Sequence, residues 1–331
     1  MLRALPAYLR RILLLGLPAL AAVAAPPDTA HLRVLTLNMN GLRYPPQLGW
    51  MADRSDCAGR FRAVAAQIRH ADPPYDVVAI QELYRVSDLH IVTCDPQPFL
   101  DALGKSQRIL FSPRGKTWKL EADGGIGLIT PHSIQESQAV RFAGSGGSFL
   151  AARGVLFARI ALRNSPVAVD AYVVHLSPGH RNSEQRRGEL ETLSKLIAAK
   201  SPASGNPVVV LGDFNIEGPP HAGAEYGTIL RLLGEPRDLW LDGTLTGAGY
   251  TFDCFSNAMA AMRSCDYQAR IDYIWIVTNR RLSQSVYQVR AGNVQRIEWR
   301  TDGPKPLPVS DHYGVEAFLS IERKALPKTD R

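Results

Sequence analysis

The chain has 331 residues, 45% hydrophobic and 21% charged, with a formal net charge of +7. These values exclude a wholly disordered or fibrous chain and leave enough apolar material for a sizeable core. The positive balance suits an anionic substrate or surface without identifying one.

Residues 1–11 are basic and carry no acid, residues 12–22 are apolar, and Ala22-Val23-Ala24 places small residues at alternate positions. This is the layout of a secretory signal peptide. The apolar run falls short of the ~20 residues that span a bilayer, so cleavage is expected rather than anchoring. Residues 1–25 are then removed and 26–331 form one exported domain, periplasmic or secreted. Removing Arg3, Arg10 and Arg11 takes the net charge from +7 to +4. No later stretch is apolar enough to cross a membrane, and the mature protein is expected to be a soluble monomer.

Residues 31–38 (HLRVLTLN) alternate and predict a strand. Residues 60–69 have helical periodicity, with Pro73 and Pro74 beyond their end. The apolar run 76–80 predicts a buried strand delivering Gln81 and Glu82 at its tip. Residues 99–103 read as helical, and 124–129, 155–162 and 167–175 as strands. A helix is predicted over 184–200, with Leu190, Leu193 and Ile197 on one stripe. A buried strand over 208–211 runs into Gly212-Asp213, and 271–277 and 315–319 are late strands. Many strands, two well-marked helices, no linker and no repeat suggest two sheets packed together with helices outside, one large α/β sandwich.

Cys57, Cys94, Cys254 and Cys265 lack the C-x-x-C spacing of a zinc site. In an oxidising compartment they make two disulfides most simply. Of the three pairings, Cys57–Cys94 with Cys254–Cys265 is favoured, because local loops are easier to close.

Polar residues recur at the strand ends: Asn38 and Asn40, Glu82, His175, Asp213 and Asn215, Asp272, and Asp311-His312. A single strand-end Glu is usually solvated, and a single His usually structural. The set is different, because a sandwich core does not need so many polar groups there. LTLNMNG, DVVAIQE, VVH, LGDFN, RIDYIWI and SDHYGV occur in that order. Together they resemble the endonuclease/exonuclease/phosphatase superfamily, and they span nearly the whole mature chain.

The resemblance implies an α/β fold, a four-layered α/β/β/α sandwich of two mixed sheets flanked by helices. It also implies Mg²⁺-dependent cleavage of a phosphoester, with Mn²⁺ or another divalent cation as substitute. A hard cation on carboxylate and amide oxygens neutralises the phosphodiester and its leaving oxygen. By motif match, Glu82 is the expected metal ligand, Asn38 completes or orients the shell, and Asp311 is a second ligand. Asn40 stands where some relatives carry an acid and ranks below Asn38. His312 is the expected general base and Asp272 its carboxylate partner. Asp213 orients or deprotonates the water, a division of labour with His312 left open. Asn215 donates to phosphoryl oxygens, and His175 stabilises charge on the pentacoordinate phosphorus.

Three segments favour a phospholipid over nucleic acid. Residues 153–160 (RGVLFARI), 181–190 (RNSEQRRGEL) and 249–257 (GYTFDCFSN) resemble segments of neutral and bacterial sphingomyelinases. The expectation is a secreted sphingomyelinase C-like phosphodiesterase making transient contact with a membrane surface. Two features point the other way: VVHLSPG departs from the sphingomyelinase pattern, and the nearest aromatic insertion element is Trp118, an ordinary hairpin on its face. A secreted nuclease is the alternative, with Arg181, Arg186, Arg187, Arg296 and Arg300 as its basic surface. A phosphoinositide or other phosphoester hydrolase is a further one. A non-enzymatic module on the same fold would have shed some of these polar groups.

Overall fold

The computed structural model describes residues 29–42, 56–85, 93–112, 123–143, 153–202, 204–242, 247–262, 265–277 and 287–324. The expected signal peptide and Trp118 lie outside these residues.

Strand β1 (Thr29–Asn38) leads to helix α1 (Cys57–Arg69) and strand β2 (Val77–Gln81). Helix α2 (Gln97–Leu103), β3 (Arg108–Phe111), β4 (Gly127–Thr130), β5 (Ser133–Arg141), β6 (Gly154–Ala161) and β7 (Ala168–His175) follow. The second half carries α3 (Ser183–Lys200), β8 (Val208–Asp213), α4 (Ala224–Leu233), β9 (Arg237–Asp238) and α5 (Leu239–Asp242). It closes with β10 (Phe252–Asp253), α6 (Ala258–Ala261), β11 (Gln268–Ala269), β12 (Asp272–Val277), β13 (Tyr287–Ile297) and β14 (Gly314–Arg323).

Two six-stranded sheets form, ordered β13-β14-β1-β2-β4-β3 and β5-β6-β7-β8-β12-β9, with β10 and β11 making a small third one. Their facing sides share one apolar layer, in which Val34, Ala79 and Ala317 meet Val173, Leu211 and Ile274. The outer face of the first sheet packs on α1 and α2 through Leu37, Ile80, Phe61, Val64 and Phe99. The outer face of the second packs on α3 and α4 through Val174, Val210, Trp275, Leu193 and Ile229. The result is the expected four-layered sandwich. Strands covered on both sides need apolar residues at every position. That explains VVVL in β8 and DYIWIV in β12, all buried.

Several elements differ from the sequence expectation. The strand expected over 124–129 is the shorter and later β4. Strands β3, β5 and β13 and helix α4 were not anticipated. Both β5 (SIQESQAVR) and β13 (YQVRAGNVQRI) lie at sheet edges with one exposed face. Such strands lack the apolar run that marks a central one, and β13 also contains a bulge between Ala291 and Val294. Among the described residues, no helix is long and apolar enough to cross a membrane. Cys57–Cys94 and Cys254–Cys265 are the disulfides.

Candidate active site

Topology gathers the strand ends at one edge. Strands β1 and β2 run parallel, as do β7 and β8, so the carboxyl ends of each pair lie together. Strands β12 and β14 run antiparallel to β8 and β1, which brings their first residues to the same edge. Register then sets the level. His175 pairs with Asp213, and Asp213 pairs with Asp272 across β8.

The backbone turns sharply where each strand ends. Asn40, Glu82 and Asn215 adopt φ of 52°, 59° and 49°, left-handed values that side chains other than glycine rarely take. Such strain concentrates at functional sites. Two glycines permit the crowding. A Cβ at Gly41 would stand 1.9 Å from the Glu82 carbonyl oxygen, and one at Gly212 would stand 2.1 Å from that of Val174.

One chain of contacts joins the two sheets. Asn38 Nδ2 donates to Asp213 Oδ2 at 3.0 Å and reaches Glu82 Oε1 at 3.5 Å. Asn38 Oδ1 accepts the Asn40 N–H at 2.9 Å, so the amide is turned to orient the carboxylates. His175 Nε2 lies 3.4 Å from Asp213 Oδ2. His312 Nδ1 meets Asp272 Oδ2 at 2.8 Å, the expected carboxylate–histidine pair. Asp311 is buried, with Ser310 Oγ 3.4 Å from its Oδ1. Asn215 donates its side-chain amide to Leu176 O, and its backbone N–H goes to Asp213 Oδ1. Glu82 and His312 therefore belong to one connected cluster. The amide of Asn40 points away, donating to Met259 Sδ.

Electrostatics separates the titratable groups. Burial and the neighbouring Asp272 push the Asp213 carboxyl up to about 7. His312 is pushed up to about 10: burial opposes its charge, but Asp272, Asp213 and Asp311 outweigh burial. Burial, with Arg153 and His312 nearby, drives His175 well down, so its ring is neutral. A ring held protonated has no free lone pair with which to accept a proton.

The donor set fits a divalent cation. Asp213 and Asp272 bring carboxylate oxygens within 4.8 Å of each other and of the His312 ring, a concentration of negative charge that favours a cation nearby. Asp272 Oδ1 is buried without a hydrogen-bond partner. Glu82 is only partly buried and its two carboxylate contacts are long, 3.4 Å from Leu42 N and 3.5 Å from Asn38, which leaves its oxygens available. Oxygen-rich sites of this kind take hard divalent cations.

A cleft of about 470 Å³ opens beside Asn215 and His312. His180, Glu217, His221, Glu225, Phe252 and Tyr267 line it. The Phe252 ring stands edge-on to His312 with centroids 5.4 Å apart. Tyr267 is pushed up to about 12 by burial and then by Glu217 and Asp213, so its hydroxyl stays neutral. None of these residues was given a role from sequence, although Phe252 lies within the GYTFDCFSN segment. Its pairing with His312 across a β-bridge is a tertiary fact that spacing does not reveal.

The arginines weighed as a nucleic-acid surface are mostly engaged. Arg186 is buried, held by both Glu225 oxygens at 2.8 Å and by the carbonyls of Ser177 and Gly179. Arg187 pairs with Glu184 and Glu191 on the solvated face of α3. Arg300 pairs with Glu298, and Arg296 lies over Tyr313 and donates to Tyr250 O.

The profile of the Endonuclease/Exonuclease/phosphatase family matches residues 35–312. The chain is similar to D. rerio TDP2 complexed with single strand DNA product, at 17% identity and a TM-score of 0.64 over 88% of this chain and 99% of that one. It is similar to a mutant beta toxin from Staphylococcus aureus with bound magnesium ions, at 17% identity and a TM-score of 0.63 over 87% and 99%. Sphingomyelinase C from Streptomyces griseocarneus is 18% identical with a TM-score of 0.58 over 87% and 99%. At these identities the likeness establishes the fold. No match was found among curated protein sequences. The profile covers both halves of the polar cluster, from β1 to His312, and on that ground the chain belongs to the Endonuclease/Exonuclease/phosphatase family and is a metal-dependent phosphodiester hydrolase.

Proposed function

We propose that the protein is an exported, Mg²⁺-dependent phosphodiesterase of sphingomyelinase C type, which releases a cationic phosphorylated head group from a phospholipid at a membrane surface. The observation that carries this reading is the lining of the cleft. Next to the reacting groups lie Phe252, Tyr267 and His180 with Glu217, while Arg186, its one arginine or lysine among the described residues, is consumed by Glu225 and backbone carbonyls. Aromatic faces and carboxylates recognise a quaternary ammonium group. A polyanion needs free cations along its path.

Glu82 and Asp311 would hold the cation, oriented by Asn38. When bound, it neutralises a non-bridging phosphoryl oxygen and the leaving oxygen. Asp213 accepts the proton of the attacking water. The protonated His312, held by Asp272, then acts as an electrostatic partner to the phosphoryl group and a proton source for the leaving alkoxide, in place of the general base expected from sequence. Neutral His175 donates a hydrogen bond, and Asn215 presents its remaining amide hydrogen.

The test is one assay series on the purified protein with sphingomyelin, lysophospholipid, plasmid DNA and RNA, each with Mg²⁺ and with chelator. Preferential, chelator-sensitive release of phosphocholine is expected. Faster cleavage of DNA or RNA would reject the lipid reading in favour of a nuclease, to which the equal likeness to the DNA-bound TDP2 structure lends support.

A further inference from the structure

We infer that Asn257 is a positioning residue that locks the His312 side of the site to the Asn38 side, through the segment closed by the Cys254–Cys265 disulfide. The inference rests on the roles proposed above for Asn38 and His312.

Asn257 is buried, 1% exposed, and its side chain has one orientation. Its Oδ1 accepts from Met259 N at 2.9 Å and Ala260 N at 3.3 Å, capping α6. Its Nδ2 therefore faces the other way and donates to Ser310 O at 3.1 Å. Ser310 is the hub. Its Oγ donates to Asn38 O at 2.6 Å and accepts from His312 N at 3.1 Å. One buried hydroxyl thus ties the last residue of β1 to the backbone of His312, and Asn257 fixes the residue that carries it. The same segment reaches Asn38 by a second route. Met259 Sδ accepts from Asn40 Nδ2 at 3.3 Å, and Asn40 N donates to Asn38 Oδ1 at 2.9 Å.

Helix α6 spans four residues, too few to be stable by itself. Its placement depends on the Asn257 cap, on the disulfide, and on the small cluster of Phe252, Cys254, Ala260, Ala269 and Ile271. Asp253 anchors the entry by accepting from Phe255 N and Ser256 N, and Ser256 Oγ lies 2.9 Å from Tyr313 OH, one residue past His312. None of these residues belongs to the layers that hold the sheets together. What the segment touches is the site. A displacement of ~1 Å in a reacting group costs about 100-fold in rate.

The test compares Asn257→Ser with Asn257→Ala. Serine keeps a cap acceptor but is too short to reach Ser310 O, whereas alanine loses both. Each protein is assayed on sphingomyelin and on bis(p-nitrophenyl) phosphate, a phosphodiester that tests the reaction whatever the natural substrate. Asn257→Ser is expected to fold with a melting temperature near that of the wild type, to lose kcat about 10- to 100-fold, and to keep KM within about twofold. Asn257→Ala is expected to lose the same kcat and to melt lower. The second readout uses chelated protein: the backbone amide resonance of His312 should move in Asn257→Ser while those of β8 and β12 interior residues stay in place. A folded Asn257→Ser protein with wild-type kcat and an unmoved His312 resonance would overturn the inference. Absence of turnover by the wild type on both substrates would instead reject the proposed function, and the His312 resonance would still decide whether Asn257 positions that loop.

Discussion

Replacing Asp272 by Asn removes the carboxylate 2.8 Å from His312 Nδ1. In the wild type, burial works against the charged ring, but Asp272 leads the carboxylates that lift it from 6.5 to about 10. A rise of that size corresponds to about 5 kcal/mol of preference for the charged form. Asp213 and Asp311 remain in the variant, so the loss is partial: His312 should titrate about 1 to 3 pH units lower. The sign for stability follows from the direction. A histidine whose folded value lies above its unfolded one stabilises fully below pH 6.5 and loses that contribution as pH rises through about 10. Urea unfolding of chelated protein between about pH 6 and pH 10 should show wild-type stability falling with pH, and a flatter profile in Asp272→Asn. NMR of the imidazole follows the same proton directly. The reasoning is refuted if wild-type His312 titrates at or below the ordinary histidine value, or if both proteins lose stability in parallel.

Three further outcomes are expected. Asp213→Asn should lower turnover by about 10²- to 10⁴-fold. Burial and Asp272 raise the Asp213 value to about 7, so ionisation above that pH costs folding free energy, and the variant should unfold no more easily than wild type in chelator at pH 8. Marked destabilisation there would contradict the assignment. Glu82→Gln should raise the Mg²⁺ concentration for half-maximal activity by about 10- to 100-fold, and an unchanged titration would exclude Glu82 as a ligand. The Cys57–Cys94 and Cys254–Cys265 bridges join residues 37 and 11 apart, worth about 3.8 and about 2.8 kcal/mol by chain entropy. Paired Cys→Ser variants compared by urea unfolding should therefore differ by about 1 kcal/mol, with the longer loop the costlier loss. Equal losses would contradict the loop-length argument.

The parts of the fold that could be read from sequence are those buried on both faces. Residues 167–175, apolar apart from Asp170 and the terminal His175, and residues 208–211, apolar throughout, show such runs because β7 and β8 lie inside the second sheet. Edge strands β5 and β13 meet solvent on one side, and their polar residues conceal them. The polar residues at strand ends were legible as an ordered set, but their grouping was not. Asp213 and Asp272 are 59 positions apart and stand level only through the β8–β12 register. The Asp272 partner of His312 was expected from the motifs, whereas the added influence of Asp213 on that ring follows from the register. Ser310 sits inside the quoted SDHYGV motif and Asn257 inside GYTFDCFSN, yet their partners are backbone carbonyls, which no side-chain pattern records.

The chain order of the site has a consequence during biosynthesis. Asn38, at the end of β1, and His312, just before β14, are bridged by one serine hydroxyl, so the first and last strands of the domain must both be in place before that bridge can form. A nascent polypeptide still emerging from the ribosome holds these residues apart, so the bridge can form only after the last strand has been made.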